Sequence, residues 1–350
     1  MLMSVPSQPI DFFQRHKSLD VLRGFALMGI FAANIYIFDV DGFGEVKESF
    51  EALSYGAADV PFAVFTLIFI LNKMMALFSM LFGAGILLLA ERIERRGASP
   101  SRIHYARNAI LACFGLLHGM LWFGDVLLIY AICAFILFPI RRWQSSRLLA
   151  AGSITWLAVL GVSFWPGTFG MMLDYVLRAL AMMIFGMVLY QSGILTLQRA
   201  VSWYRTRSRQ LLAVGLPLCA VSWLFYEVNE PVAKLMHNCG VPAVALGYVC
   251  FIMNILGQGK LSTSADRLSA AGQMALTNYL LQTALGTLLV SALNEGRGER
   301  VTVFWMMLIT FTVWGLQLAW SEPWLRRFHY GPVEWLWRSL TYRRFQPFKS

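Results

Sequence analysis

Positive charge in this chain alternates from gap to gap along a string of apolar segments, and that alternation constrains the fold more than any other feature. Ten apolar segments can be marked, 19–38, 60–90, 106–122, 124–140, 148–165, 172–190, 211–226, 241–257, 270–293 and 302–320. Each is long enough to approach or cross the hydrocarbon core of a bilayer. Of the 29 Lys and Arg, 22 lie at the termini and in every second gap or, for Arg107, at its edge, on one side of the string. The other side holds only Lys47, Lys234, Arg297 and Arg300, and Arg23, Lys73 and Arg178 lie within segments. The positive-inside rule turns this pattern into an all-α, polytopic transmembrane helical bundle of about ten spans with both termini cytoplasmic. The organisation that follows is a cytoplasmic N-terminal segment over 1–18, a bundle over 19–320, and a cytoplasmic interfacial helix and tail over 321–350.

Composition excludes the main alternatives. With 58% hydrophobic and 14% charged residues, the chain is not a water-soluble globule. Its net charge of +10 is accounted for by basic loops facing anionic headgroups, with the lipid bilayer as partner and no nucleic acid. Cys113, Cys133, Cys219 and Cys250 sit inside apolar segments and Cys239 stands alone in an outer loop, so neither a disulfide framework nor a metal-ligand spacing is present. The first 18 residues are polar, and the first apolar segment reads as a retained helix rather than a secretory signal.

Segment 60–90 is too long for one straight helix and Lys73 interrupts it. Two crossings there would invert every later loop, so one long, tilted or broken helix is expected. The segments on either side of "LWFGDV" are joined by a tight outer turn. The outer loop 39–59 is acidic, and Val46, Phe50 and Leu53 within it have the spacing of a short surface helix. In the tail, Gly331-Pro332 marks a helix start, and Trp335, Trp337, Tyr342 and the neighbouring Arg residues suit an interfacial helix.

Polar side chains at depth need a reason. Asp20 and Arg23 are three apart on one helix face, either as an anchor at the cytoplasmic boundary or as a grip on an anionic group. His118, near the outer end of its segment, is followed across the tight turn by Asp125. A carboxylate beside an imidazole fixes its tautomer and raises its basicity, as a general base requires, and equally locks a hairpin. Tyr130 lies close to Asp125 along the same segment. Asn34, Asn254, Asn278 and Gln282 are buried amides; Asn278 and Gln282 share a face, for interhelical hydrogen bonding or for a lined pocket. Asp174 and Arg178 make a structural i,i+4 pair. Lys73 has three options: snorkelling, pairing with Asp59 or Asp125, or lining a cavity. One His and one Asp are too few ligands for a metal. No glycine-rich phosphate loop, nucleophile elbow or HExxH motif occurs.

Taken together, "SLDVLRGFALMGIFAANI", "KMMALFSMLFGAGILLL", "LLHGMLWFGDVLLIYAI", "GQMALTNYLLQT" and "FHYGPVEWLWRSLTY" resemble the YeiB-like family of bacterial inner-membrane proteins, defined by a domain of unknown function. The resemblance runs from about residue 15 to 345. More distantly the chain is similar to transmembrane acyltransferases such as heparan-alpha-glucosaminide N-acetyltransferase, with which it shares the opening Leu19, Asp20, Arg23 and Gly24. That likeness implies an acyl group taken from a cytosolic acyl-CoA and passed to a saccharide or lipid acceptor across the membrane, with no covalently bound cofactor. The lysosomal relatives carry a catalytic His in the loop after the first span. Residues 39–59 contain none here, so either His118 takes over that role from a neighbouring helix or the protein does different chemistry.

Three readings follow, an enzyme, a transporter, and a structural or accessory membrane protein. In a bundle acyltransferase, His118 deprotonates the acceptor, Asp125 orients His118, and Arg23 with nearby Arg residues holds donor phosphates. In a transporter or exporter of a small or lipidic solute, Lys73, Asp125 and Arg178 line the path.

Overall fold

Apolar segments of this length satisfy their backbone without water only as helices, and the polar stretches between them set where each helix stops. The computed structural model describes residues 12–38, 59–165, 167–226, 228–259, 263–297 and 301–349. Residues 39–58 of the acidic outer loop, where a short surface helix is expected, lie outside these residues. In chain order the helices are α1 (Phe12–Asn34), α2 (Val60–Phe65), α3 (Lys73–Glu94), α4 (Pro100–Gly119), α5 (Leu127–Leu137), α6 (Ser145–Val162), α7 (Gly167–Gln191), α8 (Val201–Leu224), α9 (Glu230–Gly257), α10 (Thr263–Gln273), α11 (Ala275–Arg297), α12 (Val303–Leu325) and α13 (Pro332–Tyr342). No strand occurs among the described residues, where an isolated bridge joins Phe328 and Lys349.

The all-α membrane bundle expected from the sequence is what forms. Among the described residues, seven helical stretches are long and apolar enough to cross a membrane: 17–37, 60–94, 145–162, 167–191, 230–257, 275–296 and 303–325. Three of the ten expected segments fall short by this measure. α5 is apolar but short, and α4 and α8 carry basic residues in their N-terminal halves.

Helix ends meet in the manner the charge pattern requires. At one end Arg142 donates to Glu94 at 3.0 Å and Lys17 pairs with Asp266. At the other, the Trp122 indole donates to the Ile37 carbonyl at 3.2 Å and Asn238 donates to Ser163 at 2.8 Å. The basic gaps therefore share a face. α1 runs through the middle, touching α3, α10 and α11. Its contact with α10 depends on two glycines: a Cβ on Gly24 would overlap the Leu268 carbonyl, and one on Gly272 the Asp20 carbonyl. Gly83 on α3 and Gly186 on α7 make a second such crossing, each against the other helix's backbone. Small residues let backbones approach where burial of apolar surface supplies no drive between helices.

The long segment is broken, as its length demanded. α2 passes into a π turn over residues 66–70, and Asn72 then takes a left-handed conformation at φ 65° before α3 begins at Lys73. Asn is one of the few residues that adopts this conformation readily. The carbonyls freed by the break are caught by side chains: the Lys73 ammonium donates to Leu67 O at 2.6 Å, and the Tyr248 hydroxyl to Phe69 O at 2.9 Å. Lys73, fully buried, thus pairs with neither Asp59 nor Asp125. Asp59 accepts from Phe304 N at 3.1 Å, and Asp125 is engaged with His118.

A second break separates α10 from α11 at Met274. Here the cap comes from the far end of the chain. Glu334 on α13 accepts from Leu276 N at 2.7 Å, Thr277 N at 3.0 Å and the Thr277 hydroxyl at 2.5 Å. These are first-turn amides of α11, which have no partner within their own helix and favour an anion. The expected tail helix is present, and it is fastened to the bundle by this carboxyl.

Candidate functional site

A cavity of about 440 Å³ opens within the bundle, in the size range of small-molecule sites. Its walls come from α1, α3, α4, α5, α10, α11 and α13. Asp20, Arg23, Arg92, Arg107, Glu334 and Arg338 line the basic end. Leu27, Ile30, Phe78, Phe82 and Leu111 line an apolar middle, and Val126, Tyr130 and Tyr279 the far wall.

At the basic end the Arg23 guanidinium donates to Asp20 at 2.6 Å and reaches Gly272 O at 3.4 Å. The glycine crossing of α1 and α10 brings that carbonyl within reach. α13 closes this end. Its Trp337 indole donates to Arg107 O at 2.8 Å, and the Arg107 guanidinium lies 3.7 Å over the Trp337 ring. The Arg338 guanidinium lies 4.4 Å over Tyr330. Burial pushes the Glu334 carboxyl above the ordinary carboxylate range, and its bonds to Thr277 and Leu276 oppose the shift. His104 on α4 also lines the cavity, with Nε2 donating to Ala134 O at 3.1 Å and the ring stacked on Phe138.

The far wall backs onto the hairpin of α4 and α5. His118, in the last turn of α4, donates from Nδ1 to Asp125 Oδ1 at 2.7 Å, with both side chains no more than 5% exposed. Asp125 Oδ2 accepts from Leu128 N at 3.2 Å, which caps α5 and fixes the carboxylate. Gly115 leaves room for this contact, since a Cβ there would strike Leu128 N. With Nδ1 committed to the carboxylate, Nε2 is left as the free ring nitrogen. It is buried and makes no hydrogen bond among the described residues. His118 does not line the cavity. Tyr279 does, and its ring stands 5.3 Å from the imidazole, centroid to centroid. The Tyr279 hydroxyl turns toward the Val126 backbone without meeting hydrogen-bond geometry.

The other residues singled out from the sequence divide clearly. Asp20, Arg23 and Tyr130 line the cavity; the Tyr130 hydroxyl shares a hydrogen bond of 2.7 Å with Ser79. Asn278 and Gln282 do not line it. Asn278 donates to Ser321 at 3.2 Å and Gln282 to Gln317 at 2.8 Å, and Gln317 donates back to Asn278 O at 2.9 Å, so they stitch α11 to α12. Asn34 is half-buried at the end of α1, away from the cavity. Lys73 holds the helix break and neighbours His237 and Cys219 on α9 and α8. Arg178 donates to Asp174 at 2.5 Å and to Asn238 at 2.9 Å.

Sequence reasoning missed Tyr279, Arg107, Arg338 and Glu334 as cavity residues. The signal for Glu334 was present, an isolated carboxylate in an aromatic, basic tail. Tyr279 carried no signal beyond its place beside Asn278.

Residues 189–344 match the family model described as protein of unknown function (DUF418). Uncharacterized protein YxaH of Bacillus subtilis (strain 168) is 28% identical, over 97% of this chain and 97% of its own length. An uncharacterized 39.9 kDa protein in the amylase 3' region of Bacillus acidopullulyticus is 28% identical over 97% of each chain. Uncharacterized protein YeiB of Escherichia coli (strain K12) is 28% identical, over 95% of this chain and 98% of its own. No solved structure matches the chain. Along nearly its whole length the chain is thus similar to the YeiB-like proteins that its motifs pointed to, and its C-terminal part carries the DUF418 match.

Proposed function

We propose that this is an inner-membrane acyltransferase that takes an acyl group from a cytosolic acyl-CoA and passes it to a saccharide or lipid acceptor of the envelope. The observation that carries the reading is the cavity itself. It joins a basic end, placed in the cytoplasm by the charge pattern, to a wall behind which a buried imidazole–carboxylate pair keeps one ring nitrogen free. The acceptor hydroxyl or amine gives its proton to His118 Nε2 while its oxygen or nitrogen attacks the thioester carbon. The carbon–sulfur bond breaks, and the proton leaves with the CoA thiol. Asp125 holds the imidazole in the productive tautomer and stabilises its cation. Tyr279 stands between base and cavity, so the proton passes either through its hydroxyl or past its ring once that has turned aside.

The test is acyl transfer and thioester hydrolysis by the purified protein. His118→Gln keeps polarity and approximate size but cannot take the proton, and is expected to lower the rate by about 10²–10⁴-fold with donor affinity unchanged. Full activity in that variant, or no acyl-CoA binding at millimolar donor, rejects the mechanism. A second reading, transport of a small or lipidic solute, draws support from the break at Asn72 and the buried Lys73 beside it, since discontinuous helices are a recurrent device of transporters.

A further inference from the structure

Six charged side chains line the cavity, Arg23, Arg92, Arg107 and Arg338 against Asp20 and Glu334. Both carboxyls are engaged: Asp20 by Arg23, and Glu334 by the first-turn amides of α11. Arg107 on α4 and Arg338 on α13 have no carboxylate within ion-pair distance among the described residues, and each guanidinium rests instead on an aromatic face. Arg107 also lies in the repulsive field of Arg338 and Arg23. Glu334 offsets this field only from beyond contact distance, and like-charged guanidinium groups facing one cavity with no carboxylate in contact are an expensive arrangement in a low-dielectric wall unless an anion joins them. Beyond them His104 and Asn108 add polar groups on α4, and the wall of Leu27, Ile30, Phe78, Phe82 and Leu111 is apolar.

We propose that Arg107 and Arg338 are the two halves of a phosphate-binding site, assembled between α4 and the C-terminal helix, for a ligand that joins a phosphate ester to an apolar chain. The guanidinium fork matches phosphate oxygens, and two forks from different helices can hold one phosphate from opposite sides. The chain extends between Leu27, Phe78, Phe82 and Leu111 toward Tyr130. Arg23 is not the principal grip, because its charge is already balanced by Asp20. The C-terminal helix, outside the apolar bundle in sequence, is part of the binding site. This assigns the donor end of the acyltransfer reading and rests on that reading for the ligand's chain, while the phosphate site follows from the charges alone.

The experiment is calorimetric titration of the full chain, purified in a neutral detergent, with dodecyl phosphate and with inorganic phosphate. Palmitoyl-CoA and dioleoyl phosphatidate then distinguish a carrier from a lipid as the source of the phosphate. Dodecyl phosphate should bind and inorganic phosphate far less. Arg107→Gln and Arg338→Gln should each weaken binding about tenfold or more, as loss of a charge-assisted contact does. Arg209→Gln, an exposed cation on the basic side away from the cavity, should not. Arg338 is half-buried on the interfacial helix, so its variant keeps the test decisive if Arg107→Gln fails to fold. Wild-type affinity in Arg338→Gln, or equal weakening in Arg209→Gln, overturns the site. Arg-dependent binding without any transfer rejects acyltransfer and keeps the site; transfer at wild-type KM in both Arg variants does the reverse.

Discussion

Replacing Glu334 by Ala should release the C-terminal helix from the bundle. The carboxyl accepts three hydrogen bonds, from Leu276 N at 2.7 Å, Thr277 N at 3.0 Å and the Thr277 hydroxyl at 2.5 Å, and Glu334 is only 9% exposed. Ala leaves two buried amides without an acceptor. An unsatisfied buried donor costs about 1–3 kcal/mol, so the pair costs at least about 2 kcal/mol, or about thirtyfold in the docking equilibrium. Hydrogen exchange read by mass spectrometry over 275–278 and 332–342 should accelerate by that factor or more, while the Gly83–Gly186 crossing keeps its protection. Glu334→Gln keeps one acceptor oxygen and should be milder. The pH arm follows from the raised pKa of this carboxyl. A folded-state value above the unfolded one means that the stabilisation from protonation is complete below the unfolded value and is lost as pH rises through the folded one. Acidifying from neutrality toward the ordinary carboxylate range should therefore tighten docking in the wild type and not in Glu334→Gln. Exchange in Glu334→Ala within threefold of wild type, or docking that loosens on acidification relative to Glu334→Gln, would refute the reasoning.

Other outcomes are equally specific. Reporter fusions after Gly97 and Trp203 should read cytoplasmic and one near Asn238 external; the reverse result would mean that the segment around the Asn72 break crosses twice. Gly83→Ala places a methyl on the Met183 carbonyl and should lower stability by about 1–3 kcal/mol, whereas Gly85→Ala, with no atom within 4 Å of the new carbon, should leave the thermal midpoint unchanged. Lys73→Met keeps the length of the side chain but takes away the donor that holds the Leu67 carbonyl at the helix break, so the thermal midpoint should fall, at a cost of about 1–3 kcal/mol. A midpoint unchanged from the wild type would show that Lys73 does not hold the break.

Features fixed by neighbours in sequence were legible beforehand. The break in segment 60–90 followed from its length and from Lys73, and the approach of His118 to Asp125 followed from the tight turn between them. Asp20 and Arg23 were readable as a pair from their spacing. What escaped was set by contacts between distant helices. Asn278 and Gln282 announced a polar face but not that Gln317 and Ser321 answer it. Spacing alone allowed Lys73 a carboxylate partner, yet the nearest acceptor proved to be the carbonyl that its own helix break had freed. The cavity wall joins α4 to α13, whose Arg107 and Trp337 are 230 positions apart, and no periodicity in either segment records that meeting.

The carboxyl that caps α11 has a consequence for how the molecule is made. α11 is buried against its neighbours, yet its first-turn amides wait for a residue 57 positions downstream. During synthesis the preceding helices can enter the membrane and pair while the start of α11 still lacks its acceptor. The first turn of α11 therefore closes only after α13 has left the ribosome. A chain that stops short of residue 332 would be complete in every apolar segment and still hold an open helix end at the mouth of its cavity, a defect that quality-control proteases can read.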